Sequence, residues 1–469
     1  MTVLAVPNSE LDRQFEYLTE VRQLLQDRFG DVSPKAFTHT YGCQGNVADG
    51  ERIDGLLEQM GYEFVDTPAE ADFILFNTCA VREHAEERVY GNVGRLKEFK
   101  KTNPDLVIAL CGCMVQQEHV AKRLKSHFPY VDLVFGTHVQ YRLPELLRRH
   151  LMTGERVFDL SDDDDDIAEG LSVRHSNRMK AFLPISYGCN NFCTYCVVPR
   201  VRGRERSRQY ADVLAEAESL AKAGFKEIML LGQNVNSYGN DFGERELFPK
   251  LLRDINDLPG DFLIRFMTSH PKDCSEALLD TMAACEKVEN HLHLPVQSGN
   301  SEVLRRMNRH YDRERYLETV RCARQVMPDL ALTSDIIVGF PGETYEQFKD
   351  TVSLVEEVGF SSLYTFLFSP RVGTPGASMP DPVSREEKQR WFEELQAAQE
   401  QVAAARSAAM KGKTYRVLVE SRNKAGRLCG RSSENIMIEF DGPEERIGTF
   451  ADVLVTEPLT WILKGELVG

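Results

Sequence analysis

Tyr187-Gly188-Cys189-Asn190-Asn191-Phe192-Cys193-Thr194-Tyr195-Cys196 sets three cysteines in a C-x3-C-x2-C pattern at the end of an apolar run, residues 182–187. Five more apolar runs follow, at 227–231, 263–267, 291–295, 330–338 and 362–368. A polar or glycine-bearing loop and then helical spacing trail each run. Six successive strand–helix units predict a partial (β/α)6 barrel over residues 178–405. It is open on one side, since closure takes about eight units, and its chemistry belongs at the carboxyl ends of the strands. The cysteine loop lies at such an end. Three thiolates can hold three irons of a 4Fe-4S cluster and leave the fourth iron open to a ligand. Zinc is the competing reading, but it asks for a fourth Cys or His nearby. Residues 181–225 contain none besides Cys189, Cys193 and Cys196.

Upstream, residues 36–150 alternate strand-like runs (37–41, 73–77, 106–110, 131–135) with helical spacing (47–60, 80–101), which predicts a small α/β domain with a mostly parallel sheet. Cys43, Cys79 and Cys113 each fall just past the carboxyl end of one of these strands, the edge at which open α/β sheets bind ligands. Three cysteines at one edge predict a second cluster site. Buried structural cysteines are the alternative. Cys111 competes with Cys113 for the third position, but it belongs to the strand, whereas Cys113 follows the Gly112 turn. Cys274, Cys285, Cys322 and Cys429 are scattered through helix and strand patterns and read as structural.

Residues 1–35 form a polar N-terminal extension. Five consecutive aspartates, Asp162 to Asp166, place a solvated acidic linker at 151–177. A helical connector spans 391–410. Over 406–469, short β-type runs at 415–419, 436–440 and 450–455 predict a small all-β barrel. The fold class is thus α/β, in three parts.

Of 469 residues, 42% are hydrophobic and 27% charged, ordinary for a globular chain. No apolar run approaches the roughly 18 residues of a membrane helix, and residues 1–31 lack a signal-peptide core. A cytoplasmic location is expected, and there clustered cysteines are metal ligands or catalysts more often than disulfides. With a net charge of −16, any nucleic acid must be held by local patches. Residues 200–208 carry five arginines against one glutamate, and residues 411–431 carry seven Lys or Arg against one Glu. Arg200, Arg202, Arg204, Arg206, Lys411, Lys413, Arg416 and Arg431 are the candidate RNA contacts, a solvated basic face being the alternative.

The C-x3-C-x2-C loop, at this place in a (β/α)6 barrel, resembles the radical S-adenosylmethionine (SAM) superfamily. Together with the three-cysteine domain before it and the small β-barrel after it, which resembles the TRAM RNA-binding domain, the chain from about residue 36 onward resembles the methylthiotransferases. Four segments look like the branch that modifies tRNA: Tyr41-Gly42-Cys43-Gln44, Asn77-Thr78-Cys79-Ala80-Val81-Arg82-Glu83, residues 198–208 (Val-Pro-Arg-Val-Arg-Gly-Arg-Glu-Arg-Ser-Arg), and residues 231–239 (Leu-Gly-Gln-Asn-Val-Asn-Ser-Tyr-Gly). Gly45 departs from that pattern, which usually has Met.

The resemblance implies methylthiolation of C2 of an N6-isopentenyladenosine beside the anticodon of tRNA. It implies two 4Fe-4S clusters and two SAM molecules, one for the methyl group and one for a radical. The Cys43–Cys79–Cys113 cluster would carry the sulfur, and the Cys189–Cys193–Cys196 cluster would make the radical. Gln233 and Asn234 stand where many radical SAM proteins hold the SAM amino group. Ser269, Gln297, Ser298, Arg309 and Asp335 occupy later loops and are further SAM candidates. Gly339, Gly342 and Glu343 either approach the adenine or make a plain turn. Expected partners are isopentenylated tRNA, an electron donor such as flavodoxin or ferredoxin, and an iron–sulfur or sulfur donor protein. The chain is expected to be a monomer with no membrane contact. Three rivals remain: the same chemistry on a ribosomal protein, where Pro usually replaces Gln44; a first cluster that only relays electrons; and a non-catalytic iron–sulfur RNA-binding or sensor protein.

Overall fold

The structure, a computed structural model, describes residues 6–80, 83–162 and 167–468. Val81, Arg82 and the aspartates at 163–166 lie outside the described residues, as does the side chain of Glu83. The chain divides into two compact units, residues 1–176 with 187–190 and 197–208, and residues 177–186 with 191–196 and 209–469.

The first unit is built on six parallel strands in the order Glu63–Phe64, Lys35–Thr40, Phe73–Thr78, Val107–Gly112, Leu133–Phe135, Val157–Asp159. Phe73–Thr78 and Val107–Gly112 are buried at every position. That is why they read as continuous apolar runs: helices cover both faces of such strands. The strand order reverses between Lys35–Thr40 and Phe73–Thr78, the switch point where doubly wound sheets open a crevice. The helix Gln44–Gln59 leaves the first of these strands, and Glu83–Thr102 follows the second.

Two boundaries differ from the expected ones. The N-terminal stretch forms a helix, Asn8–Phe29, whose Val21 and Leu25 pack into one core with Leu57, Leu143 and Leu147. Much of the expected linker also belongs to this unit. Val157–Asp159 is its sixth strand, the Arg174 N–H donates to the Glu51 carbonyl (2.9 Å), and Ser176 donates to the Glu51 carboxylate. Apolar packing recruits the helix, and hydrogen bonding to the 44–59 helix and the sheet edge recruits the linker; neither is visible in local composition.

In the second unit the six expected barrel strands are present as two parallel triplets. Leu263–Phe266, Glu227–Leu231 and Lys180–Pro184 form one, and His291–His293, Ala331–Val338 and Ser362–Leu367 form the other. An Ile264–Val288 bridge links them. Among the described residues no ladder joins 180–184 to 362–367, so the barrel is open there. Helix Arg385–Ala408, capped by Ser384, stacks Trp391 on Phe348 with centroids 5.5 Å apart. Residues 414–467 close into a five-stranded barrel. Its core is Val417, Val419, Leu428, Ile438, Phe440, Val453, Val455 and Leu463. Strands Leu428–Ser432 and Leu463–Leu467 go beyond the three runs legible in the sequence.

Beneath the partial barrel lies a buried ionic network. Arg265, 1% exposed, donates to Glu227 (2.6 Å), to Glu289 (2.7 Å) and to the Ser432 carbonyl (2.7 Å). Lys180 sits 3.6 Å from Glu227 and 2.7 Å from Glu420, and His291 lies 3.3 Å from Glu289. Burial alone would raise the Glu289 carboxyl, but His291 and Arg265 hold it below the usual carboxylate range. The network ties strands of the partial barrel to the small β-barrel.

Candidate functional site

At the switch point Cys43 is the N-cap of helix Gln44–Gln59, while Cys79 and Cys113 directly follow Phe73–Thr78 and Val107–Gly112. Two glycines bring the thiols together. Gly42 has φ +113, and a Cβ there would lie 2.7 Å from Cys79 Sγ. Gly112 has φ +92, and a Cβ there would lie 2.4 Å from the Thr78 carbonyl. Only glycine tolerates both the positive φ and the close approach. Asn46, fully buried, presents Oδ1 at 3.6 Å from Cys43 Sγ and 3.7 Å from Cys113 Sγ, its Nδ2 being fixed on the Thr78 carbonyl at 2.8 Å. Cys43 is exposed, whereas Cys79 and Cys113 are buried. Burial pushes the Cys113 thiol up to about 11, Arg202 pulling the other way. Cys111, one residue before Gly112, packs instead in the core with Phe73, Leu75 and Phe135. Gly112 therefore turns Cys111 and Cys113 to different environments.

No three His, Cys, Asp or Glu side chains among the described residues converge on a single ion. A 4Fe-4S site does not need such convergence, because each thiolate binds its own iron. The donor set, three thiols gathered at one crevice, suits that cluster.

On the barrel loop, the Cys189 N–H donates to the Gly203 carbonyl (3.2 Å), and the Cys196 N–H turns back onto the Cys193 carbonyl (2.9 Å). Cys189 belongs to the first unit, Cys193 and Cys196 to the second. Arg309 is 4% exposed and spans this part of the second unit. Its Nη1 lies 3.4 Å from Cys193 Sγ, Nη2 donates to the Pro295 carbonyl (2.6 Å), and Nε donates to Tyr311 Oη (3.0 Å). Asn308 and His310 on either side have φ +61 and +58, so backbone strain is spent on aiming Arg309.

The other SAM candidates divide. Gln233 and Asn234 follow strand Glu227–Leu231, and Ser269 follows Leu263–Phe266. Asn234 Nδ2 donates to Asp273 (2.7 Å), while its Oδ1 and Ser269 Oγ are buried with no hydrogen-bond partner. Ser186 Oγ, the Asn236 amide and His270 Nε2 share that condition, and sequence reading singled out none of the three. Their only signal was proximity to the strand ends. Buried polar groups are normally paired, so this concentration at the barrel's carboxyl edge suits a polar ligand such as SAM. Gln297 holds φ +73 and bridges to strand Ala331–Val338, and Asp335 on that strand lies 3.5 Å from His293. Ser298 differs: its Oγ accepts from Asn300 N (3.3 Å) and lies 3.4 Å from Thr351 Oγ1, which makes it a loop brace.

Gly339 and Gly342, with φ +73 and +74, form a turn closed by Glu343, whose Oε2 accepts the Gly339 (2.7 Å) and Phe340 (3.2 Å) N–H groups. Burial raises the Glu343 carboxyl to about 7. The folded protein thus keeps a proton that the unfolded chain loses near pH 4.5. The stabilisation is complete below that pH and is lost as pH rises to about 7, on the order of 3 kcal/mol in all. Glu343→Gln, whose carbonyl oxygen accepts the same two N–H groups, is expected to flatten urea-unfolding midpoints between pH 4.5 and 7. An unchanged slope would mean that Glu343 is ionised throughout.

The expected RNA contacts need one correction. Arg200 and Arg204 are exposed, but Arg202 and Arg206 are 6% and 7% exposed and cannot be displayed to phosphate. Arg202 is paired with Asp49, and Arg206 lines a cleft with Asp49, Arg52, His138 and Tyr141. The stretch passes through a helical turn at Val198–Val201 and a left-handed Gly203, and Arg208 is buried as well, so only two of the five arginines in the basic run are exposed. Lys411, Lys413 and Arg416 are exposed and Arg431 is half-buried. Lys413 pairs with Asp329 and Arg416 with Asp261, surface pairs weak enough to yield to phosphate.

Comparison with known proteins matches residues 183–355 to the Radical SAM superfamily, 35–136 to Uncharacterized protein family UPF0004, and 408–468 to the TRAM domain. Among solved structures, the radical S-adenosylmethionine methyltransferase TsrM from Kitasatospora setae, with cobalamin and a 4Fe-4S cluster bound, shares the fold. The TM-score is 0.55 at 16% identity, over 74% of this chain and 77% of that one. A tRNA-2-methylthio-N(6)-dimethylallyladenosine synthase of Thermoanaerobacter sp. (strain X514) is 46% identical over 471 aligned residues, covering 100% of this chain and 99% of the relative. Another, of Clostridium tetani (strain Massachusetts / E88), is 46% identical over 434, covering 92% and 96%. With similarity of that depth running from end to end, across the cysteine crevice, the open barrel and the β-barrel alike, the chain belongs to the tRNA-2-methylthio-N(6)-dimethylallyladenosine synthase family of radical SAM enzymes.

Proposed function

We propose that this chain methylthiolates C2 of N6-isopentenyladenosine beside the anticodon of tRNA, replacing the C2 hydrogen by a methylthio group. The observation that carries the reading is the meeting of Cys43, Cys79 and Cys113 at a sheet switch point, in a chain that also bears C-x3-C-x2-C at a barrel strand end. When bound, one 4Fe-4S cluster would supply the electron for reductive cleavage of SAM, and the other would supply the transferred sulfur. Cys189, Cys193 and Cys196 would hold the former, and Cys43, Cys79 and Cys113 the latter. Asn234, Ser269 and Gln233 would orient SAM, with Gln297 and Asp335 at neighbouring strand ends. Arg309 would brace the Cys193 sulfur. Arg200, Arg204, Lys411, Lys413, Arg416 and Arg431 would contact phosphate, whose affinity is salt-dependent. An anticodon-loop adenine can be splayed out for such access.

Among the described residues no helix is long and apolar enough to cross a membrane. A cytoplasmic monomer served by a flavodoxin- or ferredoxin-like electron donor and a sulfur donor protein completes the reading.

The test is anaerobic reconstitution with iron and sulfide, then reaction with dithionite, SAM and isopentenylated tRNA, with mass spectrometry of the digested RNA. Methylthioadenosine that disappears with Cys189→Ala is the expected result. 5′-Deoxyadenosine formed over unchanged tRNA would overturn the substrate and direct the same assay to a ribosomal-protein peptide.

A further inference from the structure

Arg202 is left without a role once its burial removes it from the RNA surface. Its guanidinium makes three contacts, all within the first unit: Nη2 to Asp49 Oδ2 at 2.6 Å, Nη2 to Asn46 Oδ1 at 3.0 Å, and Nε to Cys113 Sγ at 3.1 Å. Arg202 and Asp49 expose only 7% and 6% of their side chains. A buried charge pair costs several kcal/mol per ion in lost hydration, so it is weak support for stability by itself. Here the pair is aimed at a thiol, and the aim is fixed at both ends. Asp49 and Asn46 sit on helix Gln44–Gln59, which starts at Cys43. The Arg202 N–H caps the helical turn Val198–Val201, with Gly203 at φ +74 after it. An arginine cannot lose its proton at any accessible pH, so Nε–H is a permanent donor to that sulfur.

We infer that Arg202 is a positioning residue for the cluster held by Cys43, Cys79 and Cys113. It donates Nε–H to the Cys113 sulfur and sets the reduction potential of that cluster by its charge, while Asp49 limits the effect. The inference rests on the reading that these cysteines hold a cluster. Hydrogen bonds to ligand sulfurs and nearby charge are two of the terms that fix an iron–sulfur potential. A cation there favours the reduced, more negative cluster, and it also favours an anionic sulfur ligand upon it. Asn46, locked by Thr78, keeps the three side chains in register.

The test uses the full chain carrying Cys189→Ala, Cys193→Ala and Cys196→Ala, so that only the first cluster contributes to a potentiometric EPR titration. Arg202→Gln is expected to lower the midpoint by at least 59 mV, a tenfold change in the oxidised-to-reduced ratio at fixed potential for one electron. Arg202→Lys, which keeps the charge and loses the Nε–H geometry, is expected to fall between. Asp49→Asn, which leaves Arg202 uncompensated, is expected to shift the midpoint upward. Opposite signs from the two partners of one ion pair are not produced by a general loosening of the fold. Should Arg202→Gln bind too little iron to titrate, Arg202→Lys and Asp49→Asn carry the comparison. Unchanged midpoints in cluster-bearing variants would overturn the inference, and a weakened tRNA affinity alongside them would return Arg202 to the RNA surface. Failure of the parent chain to assemble any cluster would instead strike the reading of the cysteines themselves.

Discussion

Cys113→Ala is expected to abolish methylthioadenosine while leaving SAM cleavage intact. Cys111→Ala, two residues away, is expected to keep both activities. Cys113 lies beyond the left-handed Gly112, 3.7 Å from the Asn46 oxygen that also faces Cys43, whereas Cys111 is packed among Phe73, Leu75 and Phe135. On the proposed reading the loss of a cluster ligand would remove the sulfur store, so the fall in product should exceed the roughly 10–100-fold that an outer-shell partner costs. Iron per chain should drop by about half. 5′-Deoxyadenosine should persist, because Cys189, Cys193 and Cys196 are untouched. Cys111→Ala should cost only stability, about 1 kcal/mol for a small buried side chain. Measuring 5′-deoxyadenosine, methylthioadenosine and iron in one reaction separates the outcomes. Equal losses from the two variants would undo the assignment of Cys113.

The largest expected effect on stability is at Arg265. Arg265→Met removes a group that faces both Glu227 and Glu289 and also donates to the Ser432 carbonyl. Stripping one partner from a buried ionic cluster leaves uncompensated charge and costs about 3–5 kcal/mol. The urea midpoint of the transition that reports on the partial barrel should fall accordingly. Lys180 and His291 offset part of the charge, and Lys180 is the more exposed of the two. The combined change Arg265→Met, Glu227→Gln and Glu289→Gln should recover much of the loss, since the two carboxylates that Arg265 faced are then neutral amides. Acid should weaken the parent in the same sense. The Glu289 carboxyl is held low in the fold, so its contribution is present above the ordinary carboxylate range and disappears as pH drops through the lowered value. If the triple variant is no better than Arg265→Met, packing rather than charge governs the site.

Barrel strands such as Glu227–Leu231 were legible because a parallel strand buried at every position is apolar along most of its length. The three cysteines of the first domain were legible for a related reason: each strand announced its own carboxyl end. What escaped was decided by partners far away in sequence. Arg202 looked like part of a basic surface run, yet its anion, Asp49, stands 153 residues earlier. Arg208 is buried against Glu169, 39 residues before it. Strands such as Leu463–Leu467, Leu-Lys-Gly-Glu-Leu, carry too little apolar signal to be read alone and form only because closure of the small barrel needs them. Asn46 was missed although it follows Cys43 by a single helical turn. That spacing puts an amide beside an N-cap cysteine and could have been read.

The chain crosses between its two units repeatedly within residues 177–208. During synthesis this sets an order of events. Domains generally fold as they leave the ribosome, N-terminal first. Here the earlier unit stays incomplete until residue 208 has emerged, because Arg202 and its neighbours are part of its wall around Cys113. By then all three cysteines of the barrel loop have also been translated. Both thiol sets are therefore outside the tunnel before the wall around Cys113 is complete, and the crevice cannot be sealed early.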